Sequence, residues 1–206
     1  MSYIPKDAVT QSFRSNKGVL TPNQIIKLDN ENKFTKFGQL ELIQTQSASD
    51  VNTLDFTSIQ ESTYNVHFIT VSNFSAVSSS TGGQLQLLES GVAKTTGYHF
   101  AYQQADLSAG TPFTEQKTTS GTSMVSYDFD PVKPRNSYAY IYNAGDSTKY
   151  TYITAHYVGI NNSALVMRYG GAVSPVASLV DGIRIQSSGS NNFNIDSVSL
   201  YGIRSF

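Results

Sequence analysis

Tyr138-Ala-Tyr-Ile-Tyr142, Asn143-Ala-Gly-Asp-Ser-Thr148 and, after Lys149, Tyr150-Thr-Tyr-Ile-Thr154 form the stretch on which the fold turns. Alternation of side chains with period two is the mark of a β-strand, because successive residues point to opposite faces. Tyr138, Tyr140 and Tyr142 share one face of the first run. Tyr150, Tyr152 and Thr154 share one face of the second. The seven residues between them are rich in Asn, Gly, Asp and Ser, the residues that make turns. The stretch therefore reads as two antiparallel strands joined as a hairpin.

The same alternation extends outward. Val66 and Phe68 oppose His67, Ile69 and Val71, while Tyr98, Phe100 and Tyr102 alternate with His99, Ala101 and Gln103. Leu40 and Leu42, Leu85 and Leu87, and Val125, Tyr127 and Phe129 continue the pattern. Segments 164–169, 182–186 and 193–203 supply three further strands. Gly82-Gly83, Ser90-Gly91, Ser120-Gly121, Gly170-Gly171 and Ser187–Asn192 read as turns or loops. No stretch keeps helical periodicity long enough for a βαβ unit, which sets a parallel α/β fold aside. The expectation is an all-β, antiparallel two-sheet β-sandwich, jelly-roll in style, over residues 39–206.

Residues 1–38 differ. They hold Lys6, Arg14, Lys17, Lys27, Lys33 and Lys36, six of the chain's 14 cationic residues, with few apolar ones. Thr21 suits a helix cap and Pro22 the first helical position; Ile25, Ile26 and Leu28 form a short apolar stripe. The segment reads as an extended arm with one short helix. Pro22, Ile25, Ile26 and Leu28 are its candidate anchor residues.

Composition narrows the function. The chain has 206 residues, a net charge of -1, and only 14% charged residues against about 25% in a typical domain. Weak long-range fields argue against nucleic acid as a partner. No apolar run approaches the roughly 20 residues that cross a bilayer, so no membrane insertion is expected. Lys6, Asp7, Arg14 and Lys17 interrupt every short apolar run near the start, so no signal peptide is read there and synthesis in a cytoplasm is expected. With no cysteine, disulfides, thiolate metal sites and cysteine nucleophiles are excluded.

Candidate chemistry is sparse. His67, His99 and His156 each fall inside a strand, none spaced as a metal-ligand pair, and a hydrogen-bonded or solvated strand histidine is the stronger reading. Asp128 and Asp130 fall on one face of a strand, where they could bind Ca²⁺ or act as a glycosidase pair; Pro131 makes a turn role equally natural. Glu41, Asp55, Glu61, Glu89, Asp181 and Asp196 stand alone. The common hydrolase and nucleotide-binding motifs are missing. Asn73-Phe-Ser75 and Asn161-Asn-Ser163 match the glycosylation sequon but read as turn residues. No catalytic, cofactor-binding or metal residue is assigned. The tyrosine rows (Tyr138, Tyr140, Tyr142, Tyr150 and Tyr152) have three destinations open to them: the sandwich core, a subunit interface or a sugar-stacking platform. An RNA-stacking sheet is disfavoured, since Lys149 is the one cation between Tyr138 and Tyr152.

Leu54-Asp-Phe-Thr-Ser-Ile59, followed by Tyr64-Asn-Val-His-Phe-Ile-Thr-Val-Ser-Asn73, resembles a recurrent opening in virion structural proteins of tailed bacteriophages. Ser199-Leu-Tyr-Gly-Ile203 with Arg204 is similar to their closing strand. Through these two ends the resemblance spans roughly residues 39–204. It implies a non-enzymatic β-sandwich subunit of tail, fibre or head surface. Such a subunit would form a homo-oligomer within the virion, with residues 1–38 docking on other virion proteins. A receptor-recognition module for host-surface glycan is the alternative. The resemblance brings no catalytic residue and no cofactor.

Overall fold

The computed structural model describes residues 21–31, 40–78, 81–107, 113–129, 133–161 and 164–203. Asp130, most of residues 1–38 outside the helix, and Asn162 and Ser163 of the second sequon lie outside them, as do the side chains of Asp128 and Asn161. The chain divides into two compact units, Met1–Phe37 and Gly38–Phe206.

In the first unit, α1 spans Pro22–Asn30. Its start is a reciprocal cap. The Gln24 amide donates to Thr21 Oγ1 at 3.4 Å, and the Thr21 amide donates to Gln24 Oε1 at 2.9 Å. Lys27 and Glu31 stand one turn apart with 4.0 Å between their charged atoms.

The second unit is an all-β sandwich of two antiparallel sheets. Its strands are β1 (Leu40–Val51), β2 (Thr53–Phe56), β3 (Val66–Ala76), β4 (Thr81–Glu89), β5 (Val92–Ala93), β6 (Tyr98–Asp106) and β7 (Thr114–Gly121). They continue as β8 (Val125–Phe129), β9 (Arg135–Tyr142), β10 (Thr151–Asn161), β11 (Ala164–Ser174), β12 (Gly182–Ser187) and β13 (Phe193–Ile203). The larger sheet runs β1-β13-β3-β9-β10-β11-β6-β7, and the smaller runs β2-β12-β4-β5 with β8 also on β4. This eight-and-five order does not establish the jelly-roll arrangement.

The core forms where the inner faces meet. Ile69, Val71, Ala139, Ile141, Ile153, Val198 and Leu200 come from the larger sheet; Phe56, Leu85, Leu87, Ile183 and Ile185 come from the smaller. Each fully buried Ile or Leu contributes about 1.5–3 kcal/mol by leaving water. Tyr98 links the layers: from β6 its hydroxyl accepts from the Leu87 amide of β4 and donates to the Lys94 carbonyl, both at 3.0 Å. Burial pushes the Tyr98 phenol above its ordinary range, so it stays a neutral donor. In the smaller sheet Arg184 and Asp55 sit opposite each other and make a two-pronged contact, 2.7 Å on each prong.

The hairpin read at Tyr138–Thr154 is present. Tyr142 pairs with Tyr152 across β9 and β10, and Asn143 begins the connection with φ 64°. Asp146 organises the loop, accepting from Thr148 Oγ1 at 2.6 Å and from Lys149 at 2.8 Å. Lys149 first, then Thr148, holds its carboxyl down at about 2.

Three expected turns are strand instead, Ser120-Gly121 at the end of β7 among them. Gly170-Gly171 lies inside β11 and Gly82-Gly83 inside β4. Gly170 is there for close approach: a Cβ at that position would sit 2.3 Å from the Ala101 carbonyl and 2.5 Å from Tyr102 Cβ on β6.

The segment joining β2 to β3 packs onto the core. Ile59 is fully buried, and His67, equally buried, donates Nε2–H to the Ile59 carbonyl at 2.8 Å. His67 Nδ1 has no partner, and that fits the neutral ring. The Tyr64 ring lies over Gly202, where a Cβ would come within 2.3 Å of it, and its hydroxyl donates to Glu41 at 2.7 Å. Burial holds the His67 pKa below its ordinary 6.5, against the opposing pull of the Ile59 carbonyl and Glu61. The unfolded chain takes up that proton below pH 6.5 while the folded chain resists it. Stability should be fully present above pH 6.5 and decline as pH falls below it, by at most about 1.4 kcal/mol per pH unit from this group. Urea titrations at stepped pH check this, and His67→Gln should flatten the decline just below pH 6.5.

Candidate interaction face

Register assigns every residue of the larger sheet to a face. Ala139, Ile141 and Ile153 point into the core, so Tyr138, Tyr140, Tyr142 and Tyr152 point outward. The pairing carries that outer row across neighbouring strands. Tyr140 on β9 stands opposite Phe68 on β3, and Phe68 stands opposite Tyr201 on β13. Tyr138 stands opposite His156 on β10, which stands opposite Tyr169 on β11.

The rings touch. Phe68 and Tyr140 have centroids 4.7 Å apart, and Phe68 lies 6.1 Å from both Tyr138 and Tyr201. Tyr138 meets Tyr140 edge-on at 6.3 Å and His156 edge-on at 5.5 Å. Tyr140 stacks towards Tyr142 at 6.5 Å. Tyr169 donates its hydroxyl to Gln103 Oε1 at 2.6 Å. These are the separations at which aromatic pairs gain energy beyond area alone.

The face is open. Tyr138 is 43% exposed, Tyr152 46% and Tyr169 42%, and Leu42 at the β1 end is exposed as well. None of the residues in these rows is Lys, Arg, Asp or Glu. A neutral, aromatic, half-exposed belt across five strands can bury large area against a flat partner, and the charges of Glu115 and Lys117 on the same face lie beyond it on β7. Tyr150 sits in the loop ahead of β10 and is exposed, whereas the next residue, Thr151, is buried.

The sandwich-core destination for the tyrosine rows is therefore not the one observed. Among the described residues the buried tyrosines are Tyr64, Tyr98 and Tyr157. Sequence reading also passed over Phe68, Tyr169 and Tyr201 as members of the same belt. Their own alternation placed each on a face, but only strand pairing shows that the faces coincide.

Elsewhere the candidate residues remain apart. His67 is buried inside, while His99 and His156 lie at outward positions on separate strands. Among the described residues no three His, Asp or Glu side chains gather as a metal site. The backbone of Asp128 pairs with Gly82 in the smaller sheet. Asn73 of the first sequon occupies a bulge of β3 with φ 53°, its side chain donating to Asp196 at 2.7 Å. On α1, Ile25 and Ile26 are exposed and Leu28 is half-buried. No helix of the described residues is long and apolar enough to cross a membrane.

One buried feature had no sequence signal. Arg135 and Arg168 are both 5% exposed. Arg168 lies 4.3 Å over the Tyr102 ring and donates Nε–H to Gln104 at 3.1 Å. Arg135 donates to the Tyr157 hydroxyl at 3.5 Å and lies 5.5 Å from that ring's centroid. Ring faces and an amide oxygen stand about these cations, the arrangement expected of desolvated guanidinium on aromatic surface.

No protein-family model, curated protein or solved structure matches the chain.

If the tyrosine belt lies outside the core, single changes there should act unlike changes one residue away. Tyr152→Ser should alter the stability of the monomer by no more than about 0.5 kcal/mol, as surface changes do. Ile153→Ala should cost about 2–5 kcal/mol. Denaturant unfolding at low protein concentration measures both.

Proposed function

We propose that the chain is a non-enzymatic structural subunit of a larger particle, of the kind its Leu54–Asn73 and Ser199–Ile203 segments resemble in tailed bacteriophages. The observation that carries the reading is the open aromatic belt on the outer face of the larger sheet. Monomeric proteins seldom leave so large a neutral aromatic surface in water, and such surfaces are typical of places where subunits meet. The occupant we assign is a second copy of this chain. Because the belt carries no formal charge, a copy of the same face meets no like-charge repulsion there.

Residues 1–38 serve as the docking arm on other virion proteins. What supports this role is a helix with its own cap and two exposed isoleucines in an otherwise cationic, polar stretch. An amphipathic helix of nine residues is marginal by itself and gains most by burying its apolar stripe on a partner.

A second reading is a host-glycan site on the same particle. The supporting observation is a groove of about 270 Å³ lined by Tyr169, Gln103, Glu115, Lys117 and the small residues Ala101 and Gly170. An exposed ring beside amide, acid and amine groups suits a sugar, which stacks on the ring and bonds to the polar rim.

Sedimentation separates these readings. Tyr138→Ser combined with Tyr152→Ser should weaken self-association tenfold or more, the loss of one or two interface anchors. Circular dichroism should be unchanged. Equal association by the double variant would remove the belt from the interface. Removal of residues 2–36 should leave a folded sandwich that no longer enters particles; normal incorporation would refute the docking role. Binding of the assembled protein to a glycan array, lost in Tyr169→Ala, would favour the second reading.

A further inference from the structure

The larger sheet ends on two edge strands, and they are built differently. β1 has three register irregularities against β13, and Asp50 within it adopts φ 55°. The distortion is held in place: the Asp50 amide donates to Asn194 Oδ1 at 2.9 Å, and Asn192 donates to the Asp50 carbonyl at 3.0 Å. A bulged and twisted edge makes a poor template for another strand.

β7 is more regular, its one register irregularity against β6 falling between Thr118 and Gly121. It pairs with β6 without interruption from Thr114 opposite Gln104 to Thr118 opposite Phe100. No strand among the described residues pairs with its outer side. Its side chains from Thr114 to Lys117 are exposed. A regular row of outward backbone donors and acceptors is an open site for one more strand.

The side chains choose which strand. Glu115 and Lys117 are two residues apart and share the outer face, since they stand opposite Gln103 and Ala101. In an antiparallel pair with its two-fold axis at Gln116, Glu115 faces Lys117 of the second copy and Lys117 faces Glu115 of the second copy. The exposed Phe113 then falls beside Thr119 of the second copy. The two adjacent symmetric registers oppose like charges: an axis at Lys117 places Lys117 on itself, and an axis at Glu115 places Glu115 on itself, while axes further along leave both charges facing uncharged residues. In-register parallel pairing also opposes like charges. Cross-strand opposite charges stabilise a ladder and like charges destabilise it, so the sequence of β7 selects one register and one partner. Glu115 and Lys117 are free to make the exchange. Within one chain they are 3.4 Å apart, with side chains 69% and 77% exposed, and such surface pairs are worth little.

We infer that β7 pairs antiparallel with β7 of a second copy, about Gln116, joining two larger sheets into one. This surface is distinct from the aromatic belt and does not rest on the function proposed for it.

Charge reversal tests the register. Glu115→Lys alone and Lys117→Glu alone should each weaken association at this edge about tenfold, because both cross-strand pairs turn repulsive. Mixing the two variants should restore it, since each then offers the other opposite charges. The double exchange Glu115→Lys with Lys117→Glu should restore it in a single chain. The readout is hydrogen exchange of the β7 amides as concentration rises, in proteins whose aromatic belt is intact. Concentration-dependent protection of β7 in the wild type, lost in each single variant and regained on mixing, establishes the pairing. Absence of such protection in the wild type, or equal protection in the single variants, overturns it. Weaker overall association on changing Tyr138 and Tyr152, with the concentration-dependent protection of β7 kept, would separate the belt from the edge.

Discussion

A strand shows its side chains to two sides in turn, and in this protein the two sides of β9 and β10 are opposites. One side is Ala139, Ile141 and Ile153, all but inaccessible to water. The other is Tyr138, Tyr140, Tyr142 and Tyr152. A slip of one residue would drive the tyrosines into a space filled by small and branched aliphatic chains and leave the isoleucines in water. The aliphatic side therefore fixes the register of the central strands. With that register fixed, β3, β13 and β11 must bring Phe68, Tyr201 and Tyr169 onto the same outer surface. The core and the belt are two consequences of one pairing.

Scarcity of charge shapes what remains. Of the formal charges near the interior, Arg184 and Asp55 neutralise each other across β12 and β2. Asp55 first raises the hold of Arg184 on its proton, burial opposing it. Arg135 and Arg168 instead use ring faces. Removing ionic groups from water is expensive unless hydrogen bonds and polarisable surface replace it. The tyrosines thus serve in two ways. The buried Tyr157 and the half-buried Tyr102 accommodate cations, and the outer row offers a surface free of charge.

Much of the fold could be read in advance where two signals coincided. Thr21 and Pro22 marked the start of α1, and alternation over 193–203 marked β13, because cap chemistry and side-chain period are local properties. The reading failed where a residue answers to a distant strand. Gly170 looks like a turn until Tyr102 is placed against it. β7, Thr114–Gly121, has no apolar alternation, because its side chains meet solvent on both faces for most of its length. It is a strand only because β6 offers it hydrogen bonds. The tyrosine row could be seen as a face, yet nothing local distinguishes inward from outward. That depended on Ala139 and Ile141 being the better fit to Leu85, Ile183 and Ile185 across the sandwich.

The belt and the edge differ in the kind of contact they can make, and this bears on how copies could be arranged. Pairing at β7 lies in the plane of the sheet and is directional, since backbone hydrogen bonds and two charge pairs set its register. Contact through the belt is normal to that plane, and flat aromatic surfaces tolerate some sliding. Glu115 and Lys117 share the outer face with Tyr169, so a joined sheet carries its two belts on the same side. The two-fold axis at Gln116 then doubles the aromatic area presented to whatever lies above it, with no new residue. A subunit poor in reactive groups gains avidity in this way, by geometry, because two weak faces held side by side bind a partner surface together.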